Sequence, residues 1–344
     1  MKRESFGSRL GFILVSAGCA IGIGNVWKFP YICGAYGGAA FILIYLCFLV
    51  ILGIPVLVAE FAVGRGSHTS VAKCFDKLAP AGSGWKPLKF IGIIGCYMLM
   101  MFYTTVGGWM IYYCVKSLRG DFVGATPEAV TQSFSDMLGN APTMMLWMVI
   151  ICLIGFAVCF MGLQNGIEKI SKVMMSALLI IMVILAVHSV MMEGAGEGIS
   201  FYLIPDFQKI KEAGVGNVVF AALSQSFFTL SIGIGAMLIF GSYLDKSRSL
   251  TGEAVSITVL DTFVALTAGF IIIPACFSYG IQPDAGPSLH KVKFNFPYKN
   301  IKKWCYFFGC PCGVWFCGLP AFWLPLFFNT ISSAFTYQST SAPV

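Results

Sequence analysis

The chain has 344 residues, of which 58% are hydrophobic and only 11% are charged, and its mean hydropathy is +0.83. Soluble domains carry about 25% charged residues, so this composition excludes an ordinary soluble protein and indicates a polytopic membrane protein. The net charge of +7 comes without a basic cluster interleaved with aromatic residues, which argues against nucleic-acid binding.

Seven apolar segments exceed or approach the roughly 20 residues that cross a bilayer; they lie at about 10–34, 39–64, 90–116, 143–163, 170–192, 216–243 and 253–279. With a cytoplasmic N-terminus, the inner connections carry twelve lysines and arginines and the outer connections carry four. The positive-inside rule therefore predicts this orientation in a multi-pass protein of the inner cell membrane. MKRESFGSRLGF leads into the first segment without a small-residue cleavage site, so we expect a retained helix and not a signal peptide.

The first apolar segment contains residues that disfavour a continuous helix. Its central stretch, SAGCAIGIGNVWKFP at residues 16–30, holds three glycines, a polar asparagine, a lysine and a proline. Glycine destabilises a helix interior by about 1 kcal/mol and proline by about 3 kcal/mol. Irregular backbone at membrane depth is tolerated only where it lines a cavity or is buried in protein, so the stretch predicts a broken span beside a site.

Residues 225–235, QSFFTLSIGIG, predict a second broken span with small and hydroxyl residues at membrane depth. Two glycine-interrupted spans in corresponding halves of a chain are typical of a transporter with its binding site at the midplane. The freed N–H groups favour an anion, and the freed carbonyl groups favour Na⁺ or an ammonium group. The alternative is that the glycines only permit close helix packing, as in Gly18-x-x-x-Gly22 or at Gly107 and Gly108.

Three segments resemble the signatures of the neurotransmitter:sodium symporter family, in its bacterial amino-acid branch. They are RLGFILVSAGCAIGIGNVWKFPYICGAYGGAAF (9–41), GIPVLVAEFAVGR (53–65) and QSFFTLSIGIGAM (225–237). The resemblance runs in order through residues 3–285 and implies an all-α, LeuT-like membrane fold with helices 1 and 6 broken. It also implies an incomplete fold, with the first five-helix repeat followed by the first two helices of the inverted second repeat.

The resemblance implies two sodium sites. The first would use the Ala20 carbonyl, the Asn25 side chain, the Thr229 carbonyl and hydroxyl, and the Asp261 side chain, together with the substrate carboxylate. The second would use the carbonyls of Gly18 and Ile21. Oxygen ligands of this kind suit a hard cation, so Na⁺ is the expected coupling ion, and neither an organic cofactor nor a transition metal is expected.

The resemblance also implies an amino-acid site and two gates. The substrate carboxylate would meet the amides of Ile23 and Gly24 and the Tyr103 hydroxyl, and its amino group would meet the carbonyls of Ala20, Phe228 and Thr229 and the Ser231 hydroxyl. The side-chain pocket would be lined by Leu99, Tyr103, Phe228 and Ile234. Lys28 matches the outer gate, and Arg3 and Phe6 match the cytoplasmic gate.

Some of these residues have plainer interpretations. An aspartate at membrane depth such as Asp261 costs roughly 2.5–3.5 kcal/mol to insert, which favours a functional role, although a carboxylate hydrogen-bonded to a neighbouring helix is the alternative. Glu60 fits a helix-linking structural carboxylate. Tyr103 lies on an aromatic run and, from its residues alone, fits the core.

Two positions bear on the substrate and on chloride. Monoamine members of the family have an aspartate where this chain has Gly22, so the glycine favours an α-amino acid, and the apolar pocket favours a hydrophobic or aromatic one. Gln225 and Tyr45 match positions around the family's chloride, but its serine or acidic position is Ala265 here. Asp261 could supply the negative charge instead, so we expect chloride not to be required.

The last 59 residues, 286–344, differ from the rest and form the second expected unit after a transporter core at 1–285. Four cysteines and several prolines crowd an apolar run, which suggests either a metal or redox motif or an aberrant terminus unlike the family, truncated or frameshifted after about residue 289. Two functions stay open: sodium-coupled symport of a hydrophobic amino acid across the lipid bilayer, or a non-transporting membrane-inserted remnant of such a transporter. No nucleophile–base constellation or phosphate-binding loop points to an enzyme, and nothing resembles the carbonyl or acidic ring of a channel.

Overall fold

The computed structural model describes residues 6–22, 24–121 and 127–278, and these residues are mostly helical. The α-helices are α1 (Arg9–Ala20), α2 (Phe29–Ala35), α3 (Ala39–Phe48), α4 (Ile54–Ser67), α5 (Val71–Leu78), α6 (Leu88–Arg119), α7 (Pro127–Gly139), α8 (Ala141–Phe160), α9 (Lys169–Val190), α10 (Ala195–Leu203), α11 (Phe207–Ala213), α12 (Val215–Thr229), α13 (Ala236–Gly241) and α14 (Leu250–Ser278). Short π-helical turns at Gly24–Lys28, Leu49–Gly53 and Leu163–Glu168 precede α2, α4 and α9. The all-α prediction is confirmed.

Within residues 6–22, 24–121 and 127–278, five helices are long and apolar enough to cross a membrane without interruption. They run over Ala39–Ser67, Leu88–Lys116, Ala141–Phe160, Leu163–Val190 and Leu250–Ser278. They correspond to the predicted second, third, fourth, fifth and seventh spans. Many of their large apolar side chains face outward, as on α8, where Leu153 is 63% exposed, which is the surface that lipid would cover.

The helix of the fifth span starts before the predicted position of about residue 170. The helix begins seven residues earlier, at Leu163, because the π-helical turn Leu163–Glu168 continues directly into α9. Hydropathy misses this turn since it contains Gln164, Asn165 and Glu168. Lys169 and Lys172 therefore lie on α9.

The first span is broken, as predicted. Its α1 half ends at Ala20, and the second half, Gly24–Ala35, leaves at an angle of 55°. The α1 half is central to the bundle: it packs against α9, α13 and α14, and most of its residues are buried.

The sixth span is also broken, as predicted. Its α12 half ends at Thr229 and its α13 half begins at Ala236. The intervening residues turn through positive φ at Gly233 (91°) and Gly235 (76°), a backbone conformation that glycine adopts without strain.

Several predictions concern residues outside the described ranges. They are the cytoplasmic-gate role of Arg3, the contact of the Ile23 amide with substrate, and the separate tail at 286–344.

Candidate functional site

The break in the first span places Asn25 inside the protein. Ile21 follows α1 with extended backbone, and the Gly22 N–H donates to the Asn25 Oδ1 at 3.3 Å. Asn25 has no exposed surface. The backbone is therefore helical up to Ala20 and again from Gly24, and the Asn25 side chain is buried beside this break.

The break in the sixth span lies against the break in the first. Ser231 adopts φ 52°, which is uncommon for a residue other than glycine. Its hydroxyl donates to the Cys19 carbonyl at 3.0 Å. This hydrogen bond joins the unwound segment after α12 to the end of α1, although the two are more than 200 residues apart in sequence.

Asp261 on α14 joins both breaks. One carboxylate oxygen accepts from the Asn25 Nδ2 at 2.8 Å, and the other accepts from the Thr229 hydroxyl at 2.8 Å. The Asn25 Nδ2 also donates to the Asp261 carbonyl at 3.1 Å. All three side chains are fully buried. Three of the predicted ligands of the first sodium site are therefore brought together.

In the described part of the chain, the Asp261 carboxylate accepts hydrogen bonds from two neutral side chains, Asn25 and Thr229, and its charge is not balanced. No lysine, arginine or histidine there forms a salt bridge with it. Burying an ionised carboxylate is unfavourable unless a counter-charge is present. Oxygen atoms from Asn25, Thr229 and Asp261 are the ligand chemistry of a hard cation, so the cluster fits Na⁺.

The predicted pocket residues surround the same breaks. The ring of Phe228 lies so close to Gly24 that a Cβ there would come to 2.8 Å of it. Tyr103 is buried in the core, and Leu99 packs against that core. The Ile234 carbonyl accepts from the Cys96 thiol at 3.4 Å, which places the break of the sixth span against α6.

The side chain of Lys28, the predicted outer-gate residue, lies over the ring of Phe228, a predicted pocket residue. Its Nζ is 4.2 Å from the centroid of the Phe228 ring. A cation over an aromatic face is attracted to it, so Lys28 and Phe228 form a contact between the two broken spans.

The two residues predicted for the second sodium site, Gly18 and Ile21, lie at the C-terminal end of α1. Gly18 and Ile21 are both buried, and the Ile21 N–H closes the last turn of α1 by donating to the Ala17 carbonyl at 2.7 Å. The sodium-binding roles of these two carbonyls stay predictions.

The positions matched to the chloride site hold unpaired polar atoms. The Gln225 Nε2 donates to the Gly24 carbonyl at 2.9 Å, whereas its Oε1 has no hydrogen-bond partner among the described residues. The Tyr45 hydroxyl is likewise buried without a partner in this part of the chain. Ala265 is fully buried and contributes no polar group.

Glu60 links the second span to the sixth. One of its carboxylate oxygens accepts from the Gly233 N–H at 2.5 Å. The geometry agrees with the helix-linking interpretation, and the bond supports the unwound segment next to the site.

The end of the bundle near residue 6 contains a contact that sequence reasoning missed. Phe6, a predicted gate residue, packs edge-on against Phe12 (5.4 Å between centroids) and Tyr243 (5.8 Å). Beside it, Glu168 and Glu253 contact the start of α1. The sequence could have indicated only the ion pair of Glu168 with Lys172, because these residues have the i,i+4 spacing of a helical pair. It gave no indication that Glu168 contacts α1.

The family profile described as the sodium:neurotransmitter symporter family matches residues 3–132 and 128–329. The chain belongs to the sodium:neurotransmitter symporter family. The second match runs past residue 286, so the boundary of the separate tail stays a prediction.

Members of this family with similar sequences come from bacteria, archaea and animals. The chain is 37% identical over 288 residues to a sodium-dependent transporter of Bacillus subtilis, YhdH, covering 84% of this chain and 63% of that protein. It is 32% identical to a sodium-dependent transporter of Methanocaldococcus jannaschii, covering 79% of this chain and 56% of the other. The chain thus spans less than two thirds of the length of these relatives.

One solved structure is similar over most of this chain. The crystal structure of MhsT in complex with L-phenylalanine matches with a TM-score of 0.78 at 36% identity, over 97% of this chain and 72% of MhsT. The likeness confirms the LeuT-like fold.

Proposed function

We propose that this protein is a sodium-coupled symporter of a hydrophobic or aromatic amino acid, working by alternating access around a midplane site. The observation that carries the proposal is the buried cluster of Asn25, Thr229 and Asp261, in which one carboxylate binds both broken spans. Its relatives include sodium-dependent transporters.

Sodium would replace the hydrogen bonds within this cluster by direct coordination. The Ala20 carbonyl, the Asn25 amide oxygen, the Thr229 oxygens and the Asp261 carboxylate would be its ligands at the first site. Gly18 and Ile21 would contribute carbonyls at the second. The Asp261 charge would be neutralised by the ion, which removes the electrostatic penalty of burying it.

The amino acid would lie between the two breaks. Its carboxylate would meet the amides of Ile23 and Gly24 and the Tyr103 hydroxyl. Its side chain would contact Leu99, Phe228 and Ile234, which favours an apolar side chain. The complex of MhsT with L-phenylalanine supports the same class of substrate.

Two groups proposed to contact the substrate's amino group, the Ser231 hydroxyl and the Phe228 carbonyl, already form hydrogen bonds within the protein. Ser231, proposed to contact the amino group, donates its hydroxyl to the Cys19 carbonyl at 3.0 Å, and the Phe228 carbonyl accepts from the Ser231 N–H at 3.2 Å. A hydroxyl and a carbonyl each have further acceptor capacity. Both can therefore still accept from an ammonium group.

Chloride is not required in this proposal, because Asp261 supplies a fixed negative charge next to the ion. Sodium-driven uptake should be unchanged when chloride is replaced by gluconate. Uptake that falls in gluconate and returns with chloride would contradict this part of the proposal.

The proposed orientation puts the start of α1 in the cytoplasm and the protein in the inner cell membrane. Arg9, Arg65 and Arg248 meet at this end of the bundle: Arg9 and Arg248 both contact Glu253, and Arg65 donates to the Arg248 carbonyl at 2.8 Å. Such an arginine cluster agrees with the positive-inside rule.

The test is uptake of radiolabelled L-phenylalanine and L-leucine into proteoliposomes that contain this chain alone. An inward Na⁺ gradient should drive accumulation, and an equal K⁺ gradient should not. Accumulation equal to that of empty liposomes would instead favour the non-transporting remnant, with residues 286–344 as a separate tail.

A further inference from the structure

We propose that Glu168 is a positioning residue that holds the inner half of the first span closed, with Glu253 supporting it from the opposite side. The transport part of this inference rests on the proposed function: alternating access moves one bundle of helices against another, and we take α1 to move relative to α9 and α14, against which it packs. The contact itself can be tested without transport.

Glu168 binds the N-terminus of α1. One carboxylate oxygen accepts from the Gly7 N–H at 2.8 Å, and the other accepts from the Ser8 hydroxyl at 3.3 Å. Ser8 is the N-cap of α1, and its hydroxyl oxygen also accepts from the Gly11 N–H at 2.9 Å. A carboxylate at this end is favourable because the first N–H groups of a helix are unpaired and the helix dipole is positive there.

Close approach at Gly11 makes this contact specific. A Cβ on Gly11 would collide with the carboxylate of Glu168. An alanine at position 11 would therefore displace the Glu168 carboxylate from its hydrogen bonds with Gly7 and Ser8.

Glu253 holds the other side of the same helix. The side chain of Arg9 donates to Glu253 at 3.0 Å, and that carboxylate also accepts from Arg248 at 3.5 Å. Glu253 lies in the first turn of α14 and is only 3% exposed. The N-terminal end of α1 is thus held to the fifth span by the Gly7 N–H and to the seventh span by the Arg9 side chain.

Lys172 makes the contact with Glu168 reversible. It forms an ion pair with Glu168 at 2.7 Å from the same helix, so this pair persists when α1 moves away. Glu168 is 3% exposed, and an isolated charge in such a place would strongly disfavour separation. With Lys172 in place, the carboxylate remains paired in both arrangements.

The measurement is hydrogen–deuterium exchange of the intact protein in lipid vesicles, followed by mass spectrometry of peptides that cover residues 6–15. Glu168→Gln should raise the exchange rate of these amides by about tenfold, which corresponds to about 1.4 kcal/mol of opening free energy. Peptides from α9 and α14 should be unchanged. Asp76→Asn is the matched control, since Asp76 pairs with Lys89 in an exposed salt bridge away from α1.

A second variant keeps the carboxylate and removes the space for it. Gly11→Ala should raise exchange in the same peptides, and in a Glu168→Ala background it should add little, because the two residues act through one contact. Additive effects in this double-mutant cycle, unchanged exchange in both single variants, or an equal rise in α9 and α14 would overturn the proposal.

Transport provides a separate readout. If opening to the cytoplasm becomes easier, fewer molecules face outward with sodium bound, so the KM for external amino acid should rise in Glu168→Gln while the fold is retained. Absence of uptake in the unaltered protein would contradict the proposed function, whereas unaltered exchange in the variants would contradict only the role of Glu168.

Discussion

At the scale of single residues, Asp261 explains why two distant segments converge. Its carboxylate accepts one hydrogen bond from Asn25 in the first span and one from Thr229 in the sixth, each at 2.8 Å. Two neutral donors offset only part of the desolvation of a buried charge. A monovalent cation at this position would supply the missing charge.

Asp261→Asn tests this role. The variant keeps the shape of the side chain but removes its charge, and loss of one partner in a buried charge pair costs about 2 kcal/mol or more. We expect the Na⁺ concentration for half-maximal amino-acid binding to rise about 30-fold. Asp136→Asn, on the exposed surface of α7, should leave it unchanged; superimposable Na⁺ curves for Asp261→Asn and the unaltered protein would show that the charge of Asp261 does not contribute to Na⁺ binding.

At the scale of elements, the sixth span is unwound in one defined shape. The Gly233 N–H donates to Glu60, and the Ser231 hydroxyl donates to the Cys19 carbonyl. Backbone groups at membrane depth require such partners since water is not available to them. These two hydrogen bonds therefore hold Phe228 and Ile234 on either side of the break in place.

Glu60→Gln should loosen this break. A neutral amide oxygen still accepts from Gly233, but charge-assisted hydrogen bonds are roughly twice as strong, so about 1 kcal/mol is lost. We expect the Kd for the amino acid in saturating Na⁺ to increase about fivefold, measured by isothermal titration of the purified protein. Glu197→Gln, on the exposed face of α10, is the comparison; equal affinities for the two variants would show that Glu60 does not support the site.

At the scale of the whole molecule, the proposed function requires the same folded structure to bind both sodium and an amino acid. Sodium and the amino acid would both bind where the first and sixth spans are unwound. Ligands that bind only the folded state stabilise it by mass action. Because the substrate carboxylate is a proposed ligand of the first sodium, each should raise the affinity for the other, and by the same factor.

Thermal unfolding tests this coupling. The Tm should fall when Na⁺ is replaced by K⁺, since at 100 times its Kd a ligand contributes about 2.7 kcal/mol to stability. L-Phenylalanine should raise the Tm in Na⁺ and not in K⁺. An equal increase in both salts would mean that the amino acid binds without the ion.

Local sequence was sufficient for much of the architecture. Apolar length predicted the five continuous spans, and the glycines around residues 18–24 and 233–235 predicted the two breaks. Apolar length placed the start of the fifth span later than the helix begins, because Gln164, Asn165 and Glu168 are polar, and their helical conformation depends on packing against neighbours. The function of Asp261 was inferred from its depth and family resemblance, since its partner Asn25 is 236 residues away in sequence.

The sequence alone determined the class of the protein, its spans, the positions of its breaks and its family, because these follow from local composition and from motifs that read along the chain. Only the tertiary structure decided which donors meet Asp261, that Ser231 bonds to Cys19, and that Glu168 binds the start of α1. Those contacts join elements distant in sequence, and their geometry depends on how the helices pack, which no local pattern records.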